Sequence, residues 1–165
     1  MPKTSIMTFL QIILHYSLVV SLCLSFKDNW ATFYLDINST LNKTGKQVSL
    51  NWGVHHDSSK LSLSSDNSTI VCGNNGSLKI ELTLTIVVRK QQNGSLICLN
   101  HHHKKNREQE CQQFKPQPSL AGFVTQFPLN WIFDVYEGDQ IEVTIVGKSL
   151  IKRVSSWNRL LLYYL

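Results

Sequence analysis

The feature that most restricts how this sequence can fold is an alternation of apolar and polar side chains between Leu78 and Val88, interrupted only by Val87. Every second residue is Leu, Ile or Val, and the intervening residues begin with Lys79 and Glu81. Successive side chains of a strand point to opposite faces, so this period predicts a long β-strand with one face in a core. That apolar face needs a second layer of structure to cover it.

The same period of two returns in other segments, whereas no segment combines a 3.6-residue apolar period with helix caps. Asparagine, glycine and proline mark turns at residues 74–76, 93–94, 116–118, 128 and 137–139. The strands predicted between the turns are 30–37, 48–52, 60–63, 69–72, 78–88, 95–99, 120–127, 131–136, 140–145 and 157–165. This pattern predicts an all-β fold, a two-sheet antiparallel jelly-roll sandwich.

Ahead of the strands, residues 4–26 carry no charged side chain and are mostly apolar, with Lys3 before them and Lys27 after them. A membrane-spanning helix needs about 20 such residues, so we expect a single N-terminal transmembrane signal-anchor helix. Residues 1–3 would then be a short cytoplasmic tail and residues 27–165 an extracellular domain. A cleaved signal peptide is the alternative, with secretion as its outcome, although residues 22–25 make a mediocre cleavage site.

Five N-glycosylation sequons agree with an extracellular location. Each requires a surface position, because a glycan cannot be buried. The acceptors are Asn38, Asn42, Asn67, Asn75 and Asn93.

Three cysteines follow the hydrophobic segment, which itself contains Cys23. In an oxidising compartment two of the three should pair and one should remain. We expect a disulfide between Cys98 and Cys111, which would close a short polar loop at 100–110. Pairing of Cys72 with either of them, or across chains, stays open at this point.

Residues that could support catalysis are scarce. The sequence has no nucleophile elbow, phosphate loop or metalloprotease motif, and its acidic residues are scattered. Three consecutive histidines, His101 to His103, could suggest a metal, but structural zinc sites use spaced ligands. The formal charge of +5 is modest, and the basic residues are not interleaved with aromatic ones as nucleic-acid binding would require. We therefore expect no enzyme activity, catalytic residue, metal, cofactor or nucleic-acid partner.

The last predicted strand has apolar side chains on both faces. Leu160, Leu162 and Tyr164 on one face suffice for the core. The opposite face carries Trp157, Leu161 and Tyr163, which soluble monomers rarely leave exposed together. We expect this second face to contact another subunit.

Three stretches resemble the tumour necrosis factor ligand superfamily. Residues 42–53, ending in Leu-Asn-Trp-Gly, look like that family's early L-x-W strand, and residues 68–76 like its short strand and glycine turn. Residues 131–145, Trp-Ile-Phe-Asp-Val-Tyr-Glu-Gly-Asp-Gln-Ile-Glu-Val-Thr-Ile, resemble its F-x-L-x-x-G-D-x-I-x-V hairpin. The resemblance implies a type II membrane-anchored, cytokine-like ligand. Such a ligand forms a homotrimer and binds a cell-surface receptor of cysteine-rich repeats to trigger immune or cell-fate signalling.

The resemblance also places residues in the trimer and the receptor site. The long inner strand would put Lys79 and Glu81 near the trimer axis, where the family usually presents aromatic residues. They should therefore pair between protomers, or the trimer should be looser or absent, because an unpaired buried ion costs several kcal/mol. Sugars at Asn38 and Asn42 would shield an early loop that often contacts receptors. Receptor binding would then use the loop with His101, His102, His103, Lys104, Lys105 and Arg107.

The alternative function is a secreted immunoglobulin-like or virus-encoded decoy module that binds its ligand as a monomer. A tryptophan between two widely spaced cysteines would favour it. The stretch from Cys72 to Cys111 contains no tryptophan, which counts against this alternative.

Overall fold

The computed structural model describes residues 11–18, 29–36, 47–88, 94–115, 122–146, 151–152 and 154–165. Residues 11–18 are helical, and nearly all other regular structure is β-strand. The strands are β1 (Trp30–Leu35), β2 (Gln47–Ser49), β3 (Trp52–His56), β4 (Leu61–Leu63), β5 (Thr69–Cys72), β6 (Gly76–Val87), β7 (Ser95–His103), β8 (Asn106–Phe114), β9 (Val124–Val135), β10 (Gln140–Val146) and β11 (Arg159–Tyr164).

These strands form two antiparallel sheets. The five-stranded sheet has the order β3-β1-β11-β6-β9, and the six-stranded sheet has the order β4-β5-β10-β7-β8 with β2 paired to β10. Sequence neighbours such as β5 and β6 lie in different sheets, so the chain crosses repeatedly between the layers. The predicted two-sheet all-β architecture is confirmed.

The core lies between the sheets and is supplied by alternate residues of each strand. The six apolar residues of the 78–88 alternation are all buried, as are Phe33 and Trp52 from neighbouring strands. Burying a side chain of this size contributes about 1.5 to 3 kcal/mol. The alternation that restricted the fold at the level of sequence therefore also supplies a large part of its hydrophobic stabilisation.

Two predictions about strands were wrong. Residues 100–110 are not a loop, because β7 continues to His103 and β8 begins at Asn106 after a two-residue turn. Pro128 does not end a strand either; it lies inside β9, opposite Thr83 of β6. Among the described strands β9 lies at the edge of its sheet, with β6 as its one neighbour, and a residue without an N–H is tolerated in such a strand.

The closing strand also begins later than predicted. Trp157 ends a 3-10 turn, Ser155–Trp157, and β11 starts at Arg159. The change of direction is fixed by the buried Asn158, whose Nδ2 donates to the carbonyls of Lys152 and Val154. Its Oδ1 accepts the backbone N–H of Thr85 at 2.8 Å. Asn158 thus ties the turn to β6 before the chain enters the sheet.

Of the predicted anchor, residues 4–26, only 11–18 are described, and all eight are exposed. Within the described part of the chain, no helix has the length and apolar character needed to cross a membrane.

Candidate binding surfaces

The outer face of the five-stranded sheet is rich in aromatic and aliphatic side chains, and we call it the aromatic face. Register places Trp30, Tyr163, Lys79 and Ile132 side by side across β1, β11, β6 and β9. The next two rows add Thr32, Leu161, Glu81 and Asn130, then Tyr34, Arg159, Thr83 and Pro128. Four of the five predicted trimer residues, Lys79, Glu81, Leu161 and Tyr163, thus share this face.

Lys79 and Glu81 pair within one chain rather than needing a second protomer. The Lys79 Nζ lies 2.9 Å from Glu81 Oε1, and Tyr163 donates its hydroxyl to the same oxygen at 3.1 Å. The Tyr163 ring lies 5.3 Å from the lysine nitrogen. Tyr163 and Glu81 raise the pKa of Lys79 to about 12, and Lys79 lowers the pKa of Glu81. The expectation that these ions must find partners in another protomer is therefore corrected.

Large apolar side chains on and beside this face remain in solvent. Ile132 is 60% exposed and Trp157, in the turn before β11, is 49% exposed. A cavity of about 530 Å³ opens at the β1 side of this face, lined by Trp30, Tyr34, His55 and Arg159 among others. Leu161 and Tyr163 are half-buried. The face therefore combines a shaped hollow with exposed apolar groups, which is typical of interaction surfaces.

The three histidines belong to β7 and point to both of its faces. His101, only 5% exposed, places Nε2 at 2.7 Å from Asp139 Oδ2, and His103 places Nδ1 at 2.7 Å from Asp139 Oδ1. His102 lies on the opposite face, with Nε2 at 3.7 Å from Glu142 Oε2. The predicted solvated loop is corrected here, because two histidines hold one buried carboxylate.

Asp139 is a structural residue that sequence analysis missed. It ends the turn between β9 and β10, in which Gly138 has a φ of 87° and Asp139 Oδ2 accepts the Tyr136 backbone N–H at 2.9 Å. Burial raises the pKa of this carboxyl, but the hydrogen bonds from Tyr136, His101 and His103 outweigh burial and lower it overall. The Glu-Gly-Asp turn composition and the Gly-Asp pair of the hairpin motif marked this position, but neither indicated its contacts with the histidines.

The remaining residues of the predicted receptor site lie at or near the tip of the β7–β8 hairpin. Lys104 and Lys105 form the exposed turn, and Lys104 has a φ of 52°. Arg107 points to the outer face of the six-stranded sheet, where its Nη2 donates to Asn100 Oδ1 at 2.9 Å. The six residues are therefore divided between a buried cluster, an exposed tip and an outer sheet face.

Asn100 is the centre of a polar network on the outer face of the six-stranded sheet, which we call the polar face. Its side chain is fully buried, and its Oδ1 also accepts Gln109 Nε2 at 2.6 Å. Its Nδ2 lies 3.2 Å from Thr144 Oγ1 and 3.4 Å from Glu142 Oε2. This face satisfies its polar groups within the chain, so it needs no partner to do so.

The predicted disulfide is present on the polar face. Cys98 and Cys111 are directly opposed in β7 and β8, with their Cα atoms 4.0 Å apart. Cys72 is a free thiol in the core. Burial, followed by the charge of Asp139, raises the pKa of this thiol to about 12.

Two of the five sequons fall on described residues. Asn67 and Asn75 are exposed, as glycosylation requires. Asn75 Oδ1 accepts the Glu137 backbone N–H at 2.7 Å, which leaves Nδ2, the atom a glycan modifies, outside that bond. Asn38, Asn42 and Asn93 lie outside the described residues.

No group of three or more metal-ligating side chains within the described ranges is arranged to hold a metal ion.

Comparison with known proteins gives similarity in structure only. No protein-family model matches the sequence, and no curated protein matches it. Crystal structures of murine APRIL match 82% of this chain and 99% of their own. The pH 5.0 structure has a TM-score of 0.63 and 14% identity, and the pH 8.0 structure has 0.61 and 12%. APRIL is a ligand of the tumour necrosis factor superfamily, so the predicted resemblance is confirmed at the level of the fold.

Proposed function

We propose that this chain is a membrane-anchored cytokine-like ligand whose β-sandwich forms a homotrimer and binds a cell-surface receptor of cysteine-rich repeats. The observation that carries the proposal is the fold shared with APRIL over 82% of the chain. Receptor binding would trigger immune or cell-fate signalling, as the resemblance to tumour necrosis factor ligands implies.

The aromatic face supports assembly through the five-stranded sheet. Its exposed side chains include Trp30, Tyr34 and Ile132. The half-buried Tyr163 and Leu161 lie in adjacent rows of the same face. Removing each apolar side chain from water is worth about 1.5 to 3 kcal/mol. Lys79 and Glu81 oppose burial less than isolated ions would, because each already has a charged partner within hydrogen-bond distance.

The disulfide argues against the immunoglobulin-like alternative. In antibody domains the conserved disulfide joins the two sheets and packs against a tryptophan. Here Cys98 and Cys111 join neighbouring strands of one sheet. The monomeric binding module therefore remains only as an outcome of the assembly experiment.

Anchoring and glycosylation complete the proposal. The uncharged segment 4–26 has the length of a membrane span, and the five sequons all follow it in sequence. If the segment is an anchor, the chain should pellet with membranes and expose its C-terminus outside the cell, and glycosidase should reduce its mass. Complete secretion with a new N-terminus near Phe26 would replace the anchor with a signal peptide and leave the ligand proposal intact.

The ligand proposal is tested by sedimentation of the extracellular part, followed by a binding screen against receptors built from cysteine-rich repeats. We expect a trimer at micromolar concentration and saturable binding to at least one such receptor. A stable monomer would contradict the proposal and favour the monomeric binding module.

The exposed hairpin tip is our candidate for the receptor contact. Lys104 and Lys105 are fully available there, whereas His101 is buried on Asp139 and can only position the hairpin. Changing both lysines to glutamate should slow receptor association and reduce its salt dependence, since charge steering acts mainly on the on-rate. Association that is unchanged in stopped-flow measurements would remove the tip from the receptor site.

A further inference from the structure

A cleft between the free edges of the two sheets is lined by carboxylates. It has a volume of about 450 Å³ and lies where β7 and β8 of one sheet face β9 of the other. Glu108 and Glu110 of β8 and Asp134 of β9 line it, together with His101, His103 and Tyr136. No lysine or arginine is among the described residues that line this acidic cleft, although the chain as a whole has 16 basic and 11 acidic residues.

Charge alone would not distinguish this cleft from an edge strand protected by inward-pointing charges. The second observation is a ring nitrogen of His101 that has no hydrogen-bond partner, on a side chain that is only 5% exposed. His101 uses Nε2 against Asp139, and its Nδ1 has no hydrogen-bond partner. The Glu108 Oε2, on the cleft wall, is 3.8 Å from that Nδ1.

At 3.8 Å these two atoms are beyond hydrogen-bond distance. A carboxylate only accepts hydrogen bonds, so Nε2 donates to Asp139, and in the neutral ring Nδ1 is then an acceptor. Glu108 Oε2 is an acceptor too. Two acceptors that face each other 3.8 Å apart need a donor from outside to join them.

We propose that the acidic cleft binds an arginine side chain of a partner protein. A guanidinium offers five N–H donors in a planar fork, which can reach a carboxylate and a second acceptor at the same time. Glu108 and Glu110 supply the opposite charge, and Glu108 is exposed and free to turn outward. The Tyr136 and His103 rings, 4.7 Å apart, offer a surface on which the fork stacks. The cleft borders the aromatic face at β9, because Ile132 lines both, and its glutamates Glu108 and Glu110 come from β8 of the other sheet.

The test uses the full-length chain in non-ionic detergent, with N-acetyl-arginine amide as the probe and imidazole nitrogen resonances as the readout. We expect the His101 Nδ1 resonance of the free protein to be that of an unprotonated nitrogen, and to move toward lower frequency as the probe saturates. N-acetyl-citrulline amide has nearly the same shape without the charge, so it should cause little change. Added salt should weaken the arginine effect.

Two variants test whether the arginine probe binds in the cleft. Glu108→Gln should weaken binding of the probe by up to about fivefold, because it removes a charged acceptor at an exposed site. Glu137→Gln is the matched control; it changes an exposed glutamate outside the cleft, and we expect wild-type affinity.

Four results would overturn the proposal. Equal binding of the citrulline compound would remove the role of charge, and equal affinities of the two variants would move the site elsewhere. A His101 Nδ1 that already carries a proton at neutral pH would mean that the ring bonds Glu108 itself. A shift of Nδ1 with Zn²⁺ but not with the arginine probe would make the cleft a metal site instead.

Discussion

The outer faces of the two sheets differ in how their side chains are covered. On the polar face, Asn100 is fully buried because its own neighbours, Arg107 and Gln109 among them, surround it and satisfy its hydrogen bonds. On and beside the aromatic face, Ile132 is 60% and Trp157 49% exposed, because no described residue covers them fully. The polar face pairs its buried polar groups within a single chain, whereas the described part of the aromatic face leaves apolar area that is available to another molecule.

The difference teaches where a partner is needed. A buried polar network gains nothing from a further layer, since each added group must match donors and acceptors that are already paired. Exposed apolar surface gains from any complementary cover. Effects on assembly should therefore follow substitutions on the aromatic face, and effects on the stability of one chain should follow substitutions on the polar face.

The largest expected effect is the loss of assembly in Leu161→Arg. A cation at the centre of the proposed interface, repeated in each protomer, should weaken association by at least about a hundredfold. Leu96→Arg is the matched control, because Leu96 is 38% exposed on the polar face. Sedimentation should find a monomer for the first variant and a trimer for the second, with β-rich circular dichroism in both. Loss of the trimer in both variants, or in neither, would contradict the conclusion that assembly uses the aromatic face and not the polar face.

The disulfide should have the next largest effect, now on the stability of one chain. Cys98 and Cys111 are 13 residues apart, and closing a loop of this length contributes about 3 kcal/mol in the chain-entropy model. The double variant Cys98→Ala and Cys111→Ser should lose about that much free energy of unfolding in urea. Non-reducing peptide mapping checks the linkage itself, and a Cys72–Cys98 or Cys72–Cys111 peptide would contradict it.

A smaller loss is expected from Asn100→Ala. The substitution leaves Arg107 and Gln109 without their shared acceptor and removes one of the two donors to Thr144 Oγ1, the other being Gln47 Nε2, at a cost of about 2 kcal/mol. Gln113→Ala, an exposed position on the same face, should change the free energy of unfolding by less than about 0.5 kcal/mol. Equal urea midpoints for the two variants would mean that the network does not stabilise the polar face.

The smallest effect should appear only in acid and concerns Asp139. Its pKa is lower in the folded chain than its ordinary value of 3.8, so its hydrogen bonds stabilise the fold above that value. This stabilisation is lost as the pH falls through the lowered folded pKa. In Asp139→Asn, the free energy of unfolding should therefore depend less on pH below about pH 4. Identical pH dependence in the variant and the wild type would contradict the assignment.

The strands with one apolar face were predictable because burial requires a period of two. Thr69–Cys72 is a strand with the predicted bounds, and Leu78 to Val88 differs from β6 only at its ends. β8 escaped prediction for the opposite reason. Eight of its nine residues are exposed, so it carries polar side chains on both faces and shows no apolar period. An edge strand of this kind is specified by its neighbour's hydrogen bonds, which no local pattern records.

The candidate sites were predictable only in part. Tyr163 and Leu161 share a face with Lys79 and Glu81 because strand pairing brings distant residues into one row, and alternation had already separated the two faces of β11. The contact of His101 and His103 with one shared carboxylate could not be predicted from the sequence. It depends on Asp139, 36 residues beyond His103, and on the crossing that brings β10 beside β7.

The burial of Cys72 protects the native disulfide between Cys98 and Cys111 from exchange. Cys72, Cys98 and Cys111 allow three possible pairs, and a free thiolate could exchange one for another. Cys72 sits in the core with its pKa raised to about 12, so almost none of it is thiolate at neutral pH and no disulfide sulfur can approach it. Reshuffling must therefore wait until an opening of the core exposes Cys72. The rate at which a thiol-trapping reagent modifies Cys72 would then report how often this part of the core opens.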